Sequence, residues 1–194
     1  MTERGFTVTS TEEVMVRVGV PKGSFYYHFG SKAAYGQAVI NAYAEYFEAK
    51  LDRLLSDQSF TPIDRLRNFV REATDGLARH AFKRGCLVGN LGQELASMDD
   101  VFRRQLEKVL TSWQKRFALC LREAIDLSQL SEDVDVDHVA EFFWIGWEGA
   151  IMRAKLQKSA TPLDQFADVF FSKVIGQPAV AKKKIGNRSK ARRS

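Results

Sequence analysis

Residues 5–35 read GFTVTSTEEVMVRVGVPKGSFYYHFGSKAAY. Ser10 or Thr9 can cap a first short helix, with Glu12 and Glu13 in its first turn. Val14 and Val18 lie one turn apart and give that helix an inward face. Gly19 ends it, Val20 plugs the turn, and Pro21 starts a second helix that runs to Phe29. Gly30-Ser31-Lys32 then break this helix and cap a long one beginning near Lys32. Two short helices joined by a glycine-containing turn make a helix-turn-helix.

The second helix suits a DNA groove. Lys22, Gly23 and Ser24 form a small, polar first turn, and small residues let the backbone approach base edges and phosphates. Tyr26, Tyr27 and His28 supply hydroxyl and imidazole donors for phosphates, and Lys32 adds a point charge. Phe25 and Phe29, four apart, are expected to face a small core. Two helical turns cannot point Tyr26, Tyr27 and His28 inward together.

Outward from this block the chain reads as helical almost throughout. No Val/Ile/Thr-rich stretch alternates with period two, so the fold class is all-α. Thr61-Pro62-Ile63-Asp64 places Thr at an N-cap and Pro at the first helical position, and Thr161-Pro162-Leu163-Asp164 is expected to repeat the device. Leu66, Phe69, Val70, Ala73 and Leu77 form one helical stripe. Phe102, Leu106, Val109, Leu110, Trp113, Phe117, Cys120, Leu121 and Ala124 form a longer one. From Val136 to Leu156 almost no polar face remains, which predicts a helix buried all round, with a second subunit as cover.

The 194 residues carry a formal net charge of +5. Seven bases fall in residues 178–194, PAVAKKKIGNRSKARRS, and the rest holds 22 bases against 24 acids. Net charge is therefore no argument for DNA binding, and the basic tail is expected to be disordered. Two cysteines exclude a disulfide scaffold and fit a cytoplasmic protein. No apolar run predicts a membrane span or signal peptide.

Gly5-Phe6, Thr9-Ser10-Thr11, the run Gly19 to Phe29 and Ser31-Lys32 together resemble the TetR/AcrR-type transcriptional repressors. The resemblance implies an all-helical homodimer whose heads bind a palindromic DNA operator and whose larger domain binds a small effector. By position, Lys22, Gly23 and Ser24 would approach bases, and Thr9, Ser10, Tyr26, Tyr27, His28 and Lys32 would hold phosphates. Only Met1 to Arg4 precede Gly5, where the family opens with a further helix, so the head is expected to lack its first helix through a shortened sequence. Met15 and Val18 stand where the family usually has Ala and could fill vacated space. The expected units are residues 1–50 (head), 51–177 (ligand binding and dimerisation) and 178–194 (tail). The alternative is a helical small-molecule-binding protein with an impaired head.

The run Arg84 to Glu94, the run Phe143 to Ile151 and Arg153-Ala154-Lys155 resemble the acrylate-utilisation repressor subgroup, and more loosely the N-ethylmaleimide-reductase repressors. That implies a small electrophilic or α,β-unsaturated acid or thioester as effector. Gly89, Gly92 and Ala96 share a stripe that a ligand or another helix would approach closely. Cys86 near a helix start is read either as a thiol with lowered pKa or as an inert buried one. Glu148 needs a partner: an effector site with Lys155 or Arg153, or an ion pair at the dimer seam. Trp144 and Trp147 read as seam or core, or as ligand-stacking. The candidate effector or sensing residues are Cys86, Asn90, Gln93, Trp147, Glu148 and Lys155. The three histidines have no metal spacing, no cofactor motif occurs, and no catalytic set is present, so the chain is not expected to be an enzyme.

Overall fold

The computed structural model describes residues 1–176, in which every regular element is helical. The expected tail, residues 178–194, lies outside the described residues. Ser10 caps α1 (Thr11–Val18), accepting from the amides of Glu12 at 3.1 Å and Glu13 at 3.5 Å. Gly19 closes the helix in the left-handed region at φ +67°, where a side chain would be strained. α2 (Lys22–Phe29) follows Pro21, and Ser31 caps α3 (Lys32–Leu55) by accepting from the amide of Ala34 at 3.0 Å.

The head core is built on Met15 and Phe25, both buried, with Phe25 packed on Phe29 and on Tyr35 at 5.1 Å between ring centres. The inward face of α1 thus differs from the expected one. It runs through Thr11 and Met15, one turn apart, while Val18 is 63% exposed and Val20 also meets solvent. α3 then runs unbroken through residue 50, so the division expected there falls inside one helix.

The body consists of α4 (Pro62–Ala78), α5 (Leu87–Leu95), α6 (Asp100–Asp126), α7 (Val136–Gln157) and α8 (Thr161–Val169), followed by a π turn at Phe170–Val174. α6 is central and packs against α3, α4, α5 and α7. Its stripe of Phe102, Leu106, Val109, Trp113, Phe117, Cys120, Leu121 and Ala124 is buried as the spacing predicts. Thr61 caps α4, accepting from the amide of Asp64 at 3.3 Å. Thr161 does not repeat this. It is already helical, and its amide donates to the hydroxyl of Ser159 at 3.2 Å.

Aromatic rings fill the core between α3, α4, α6 and α7. Phe117 stacks on Phe143 at 4.4 Å, Trp113 meets Trp144 at 5.0 Å, and Phe47 meets Trp113 at 4.4 Å. Such pairs contribute about 0.5–1.5 kcal/mol each beyond burial. Arg65 is the buried cation of the core. Its guanidinium donates to the carbonyls of Leu55 (3.1 Å), Asp57 (2.8 Å) and Phe60 (3.0 Å), to Gln58 (3.0 Å) and to Glu123 (2.6 Å). It ties the α3–α4 connection to α6.

Within one chain α7 is covered on one face only. Phe143, Trp144, Trp147, Ala150, Ile151 and Ala154 face the core. Phe142, Ile145, Met152 and Leu156 are exposed, and they lie along one helical stripe.

Candidate functional site

Two regions carry chemistry. The first is the face of α2. Lys22, Gly23, Ser24, Tyr26, Tyr27 and His28 are all exposed there, with Tyr27 at 86%, while Phe25 alone is buried. The side chains that can reach a groove are thus presented on a helix anchored from beneath. The other phosphate candidates are engaged internally. Thr9 is buried and its hydroxyl donates to the carbonyl of Gly5 at 2.6 Å. Ser10 is spent on capping α1 and donates to Glu12 at 2.8 Å, which lowers the Glu12 pKa. The ammonium of Lys32 donates to the carbonyl of Thr7 at 2.9 Å and stands 4.9 Å over the Phe6 ring.

The second region lies between α3, α4, α5 and α7. Cys86 is the N-cap of α5, its sulfur accepting from the amide of Gly89 at 3.5 Å. From α7 the carboxyl of Glu148 reaches over Gly89 and takes a hydrogen bond from the Cys86 thiol. A β-carbon at Gly89 would collide with that carboxyl, so the close approach expected at the glycine stripe is a side chain of α7. Nothing comes within 4 Å of the corresponding point at Gly92. Tyr43 of α3 closes the group.

Burial dominates the electrostatics here. It pushes the Glu148 carboxyl up to about 7, and its Oε1 is enclosed without a hydrogen-bond partner. Within the chain this oxygen meets no cation. Burial, and then the Glu148 charge, hold the Cys86 thiol well above its ordinary pKa, and burial likewise raises Tyr43. Of the two readings of Cys86, the direction of this shift matches the buried thiol and not the one of lowered pKa. The cap position and the Gly89 amide favour the thiolate, but desolvation outweighs them. Arg84 does not support a thiolate either, since its guanidinium lies 3.1 Å from the His80 ring. Cys120 is the inert thiol, pushed up to about 12 by burial.

Two clefts meet at Cys86 and Glu148. One, of about 250 Å³, is walled by Tyr43, Phe47, Trp144 and Trp147, with Lys50 and Arg79 also on its lining. The other, of about 420 Å³, is lined by Asn90, Gln93 and Lys155. All six effector candidates therefore converge on one site. Two donors are already committed: Asn90 to the carbonyl of Thr2 at 2.9 Å, and Lys155 to that of Glu3 at 3.1 Å. Trp144 and Trp147 are core residues whose edges form cleft wall. Sequence reasoning missed Tyr43, Phe47 and Lys50. Their spacing of four and three on α3 puts them on one helical face, and that was the available signal.

Residues 1–35 match the tetR family of bacterial regulatory proteins, and residues 62–170 match the tetracyclin repressor-like C-terminal domain. The chain is 50% identical over 170 residues to the transcriptional regulator AcuR of Cereibacter sphaeroides, covering 88% of this chain and 78% of that protein. It is 34% identical over 176 residues to the HTH-type transcriptional repressor DhaR of Mycobacterium sp. (strain GP1), covering 89% and 85%. The crystal structure of a regulatory protein TetR from Rhodobacter sphaeroides superposes with a TM-score of 0.84 at 50% identity, over 87% of this chain and 89% of that one.

Proposed function

This chain belongs to the TetR family of bacterial regulatory proteins, and on that premise we propose how it works as a ligand-responsive repressor. As a homodimer it holds a palindromic operator through the exposed face of α2, with Lys22, Gly23 and Ser24 toward bases and Tyr26, Tyr27 and His28 toward phosphates. A second copy covers Phe142, Ile145, Met152 and Leu156. A small electrophilic or α,β-unsaturated acid or thioester, acrylate being the simplest, enters the cleft at Cys86 and Glu148 and lowers operator affinity. The protein acts in the cytoplasm. No helix among the described residues is long and apolar enough to cross a membrane.

One observation carries the effector reading: an enclosed carboxyl with an unpartnered oxygen, set against a thiol where two clefts meet. A buried polar group without a partner costs about 1–3 kcal/mol, which a polar ligand offsets. A protonated Glu148 donates to a carbonyl or carboxylate oxygen. If Cys86 adds to the ligand, the sulfur bonds the β-carbon and the C=C π bond breaks. The thiol proton passes through Glu148 to the α-carbon.

The test is operator binding at two salt concentrations, with and without sodium acrylate and an acryloyl thioester, alongside intact-mass measurement. Specific, salt-dependent binding that weakens with the compound supports the reading. Binding indifferent to DNA sequence, or to every compound of this class, refutes it. An unchanged dose response in Cys86→Ser removes the thiol from the mechanism.

A further inference from the structure

The segment ahead of α1 is stitched to the effector helices. The carbonyl of Thr2 accepts from the amide of Gly85 at 2.8 Å and from Asn90 at 2.9 Å. The carbonyl of Glu3 accepts from Lys155 at 3.1 Å. Further on, Glu94 takes the amide of Phe6 on one oxygen at 2.7 Å and that of Thr7 on the other at 2.6 Å. Asn90 and Glu94 are one turn apart and so share a face of α5. Gly5 has φ +86°, and a β-carbon there would sit 2.5 Å from the Glu94 carboxylate, which accounts for the glycine of the Gly-Phe pair. The Phe6 ring packs on Phe102 at 5.3 Å and over Gly36, and Lys32 holds Thr7 from the other side.

We propose that Glu94 is a positioning residue that couples the effector cleft to the DNA-binding head through its two-oxygen grip on the Phe6 and Thr7 amides. The proposal rests on reading the cleft as the effector site. α5 begins at the Cys86 cap, and Glu94 stands at its far end, so one short rigid helix joins the two. Three residues beyond Thr7, Ser10 caps α1, so the position of Phe6 and Thr7 sets where the helix-turn-helix starts. Asn90 and Lys155 line the cleft while spending donors on Thr2 and Glu3. A ligand carboxylate that recruits either one frees the segment upstream, leaving the Glu94 grip to carry the shift of α5 into the head. The carboxylate suits the task. Burial works to raise its pKa, but the bonds from Thr7 and Phe6 outweigh burial and hold it below the usual range. It therefore accepts at both oxygens, whereas Gln offers one acceptor and turns a donor toward an amide.

The experiment measures operator affinity of the full chain by fluorescence anisotropy, with and without sodium acrylate, for wild type, Glu94→Ala and Glu94→Gln. Melting temperatures are recorded alongside. Allosteric coupling of this kind typically changes affinity about 5- to 150-fold. The expected result is a wild-type ratio in that range, a ratio near one for Glu94→Ala, and an intermediate ratio for Glu94→Gln. A residue that only braces the head would lower affinity or melting temperature and leave the ratio intact, and that outcome overturns the proposal. If wild type ignores acrylate, the effector reading fails, and Gly89→Ala then judges the coupling without ligand by pushing Glu148 from its seat. A change in operator affinity from Gly89→Ala that vanishes in the Glu94→Ala background supports the grip. An equal change in both backgrounds, or none in wild type, overturns it.

Discussion

Replacing Glu148 with Gln isolates the cost of a buried acid. Around this carboxyl stand Cys86 at the α5 cap, Tyr43 on α3 and the backbone at Gly89. Its pKa rises from the ordinary 4.5 to about 7 in the folded chain. Below the lower value the group is neutral in both folded and unfolded states and contributes nothing. Between the two values the unfolded chain releases the proton while the folded chain keeps it. The unfolded state then binds fewer protons, so stability falls as pH rises through this window and levels off above it. A shift of this size corresponds to a loss of about 3 kcal/mol. Cys86 and Tyr43 are both pushed upward and titrate above the window. The raised, exposed His138 titrates alike in both proteins and cancels in the comparison. Gln cannot ionise and still accepts from the thiol. Melting temperature is measured near pH 5 and near pH 8 at one protein concentration. Part of that loss has already occurred by pH 5, which leaves about 2.5 kcal/mol between the two measurements. At about 2–4 °C per kcal/mol for a chain this long, the wild-type drop should exceed the variant's by about 5–10 °C. Equal drops would mean that Glu148 is already ionised or solvated near pH 5, and the account of the site would be wrong.

Arg65→Ala leaves the carbonyls of Leu55, Asp57 and Phe60 without their donor and should destabilise the chain by about 1–3 kcal/mol in urea denaturation; a loss under about 0.5 kcal/mol would show that water replaces the guanidinium. Ile145→Asp places a charge in the exposed α7 stripe, and light scattering should find monomer where wild type is dimer, with operator binding lost in parallel. Lys22→Ala should weaken operator binding by about 1–3 kcal/mol and relax sequence preference at the base it meets, as read from binding to operator variants. A uniform loss over all variants, with the salt-dependence slope reduced by about 1, would move Lys22 to phosphate contact instead.

What the sequence discloses is whatever is local. The caps at Ser10, Ser31 and Thr61 depend on residues within three positions, and each is found where the pattern places it. The α6 stripe depends on period alone and is buried throughout except at half-buried Leu110. The misreadings arise where a distant element decides. Val14 and Val18 have the right spacing for an inward face, but the buried side of α1 is the one that carries Met15. The local field of a helix start argues for an ionised Cys86, yet α3 and α7 bring the burial that reverses it. Glu94 and Arg65 look like ordinary surface charges in sequence. Their roles rest on partners 87 or 88 residues away for Glu94, and on Glu123 and a loop for Arg65. Cleft-lining residues such as Tyr43 were legible as part of a helical face, but not as a wall of a cleft.

That α3 passes without a break from head to body has a geometric consequence. Its 24 residues span about 36 Å at 1.5 Å per residue, so the helix is a stiff lever with one end in the aromatic core and the other beside α2. A tilt of about 5° at the core end displaces the far end by about 3 Å, the length of one phosphate hydrogen bond. In a two-fold assembly the same tilt acts on both arms and changes the distance between the two reading helices by up to twice that amount. Helix-turn-helix dimers in general read half-sites about 34 Å apart on the duplex. A rearrangement too small to disturb the packing of Trp113 and Trp144 is thus large enough to put the two heads out of step with the groove.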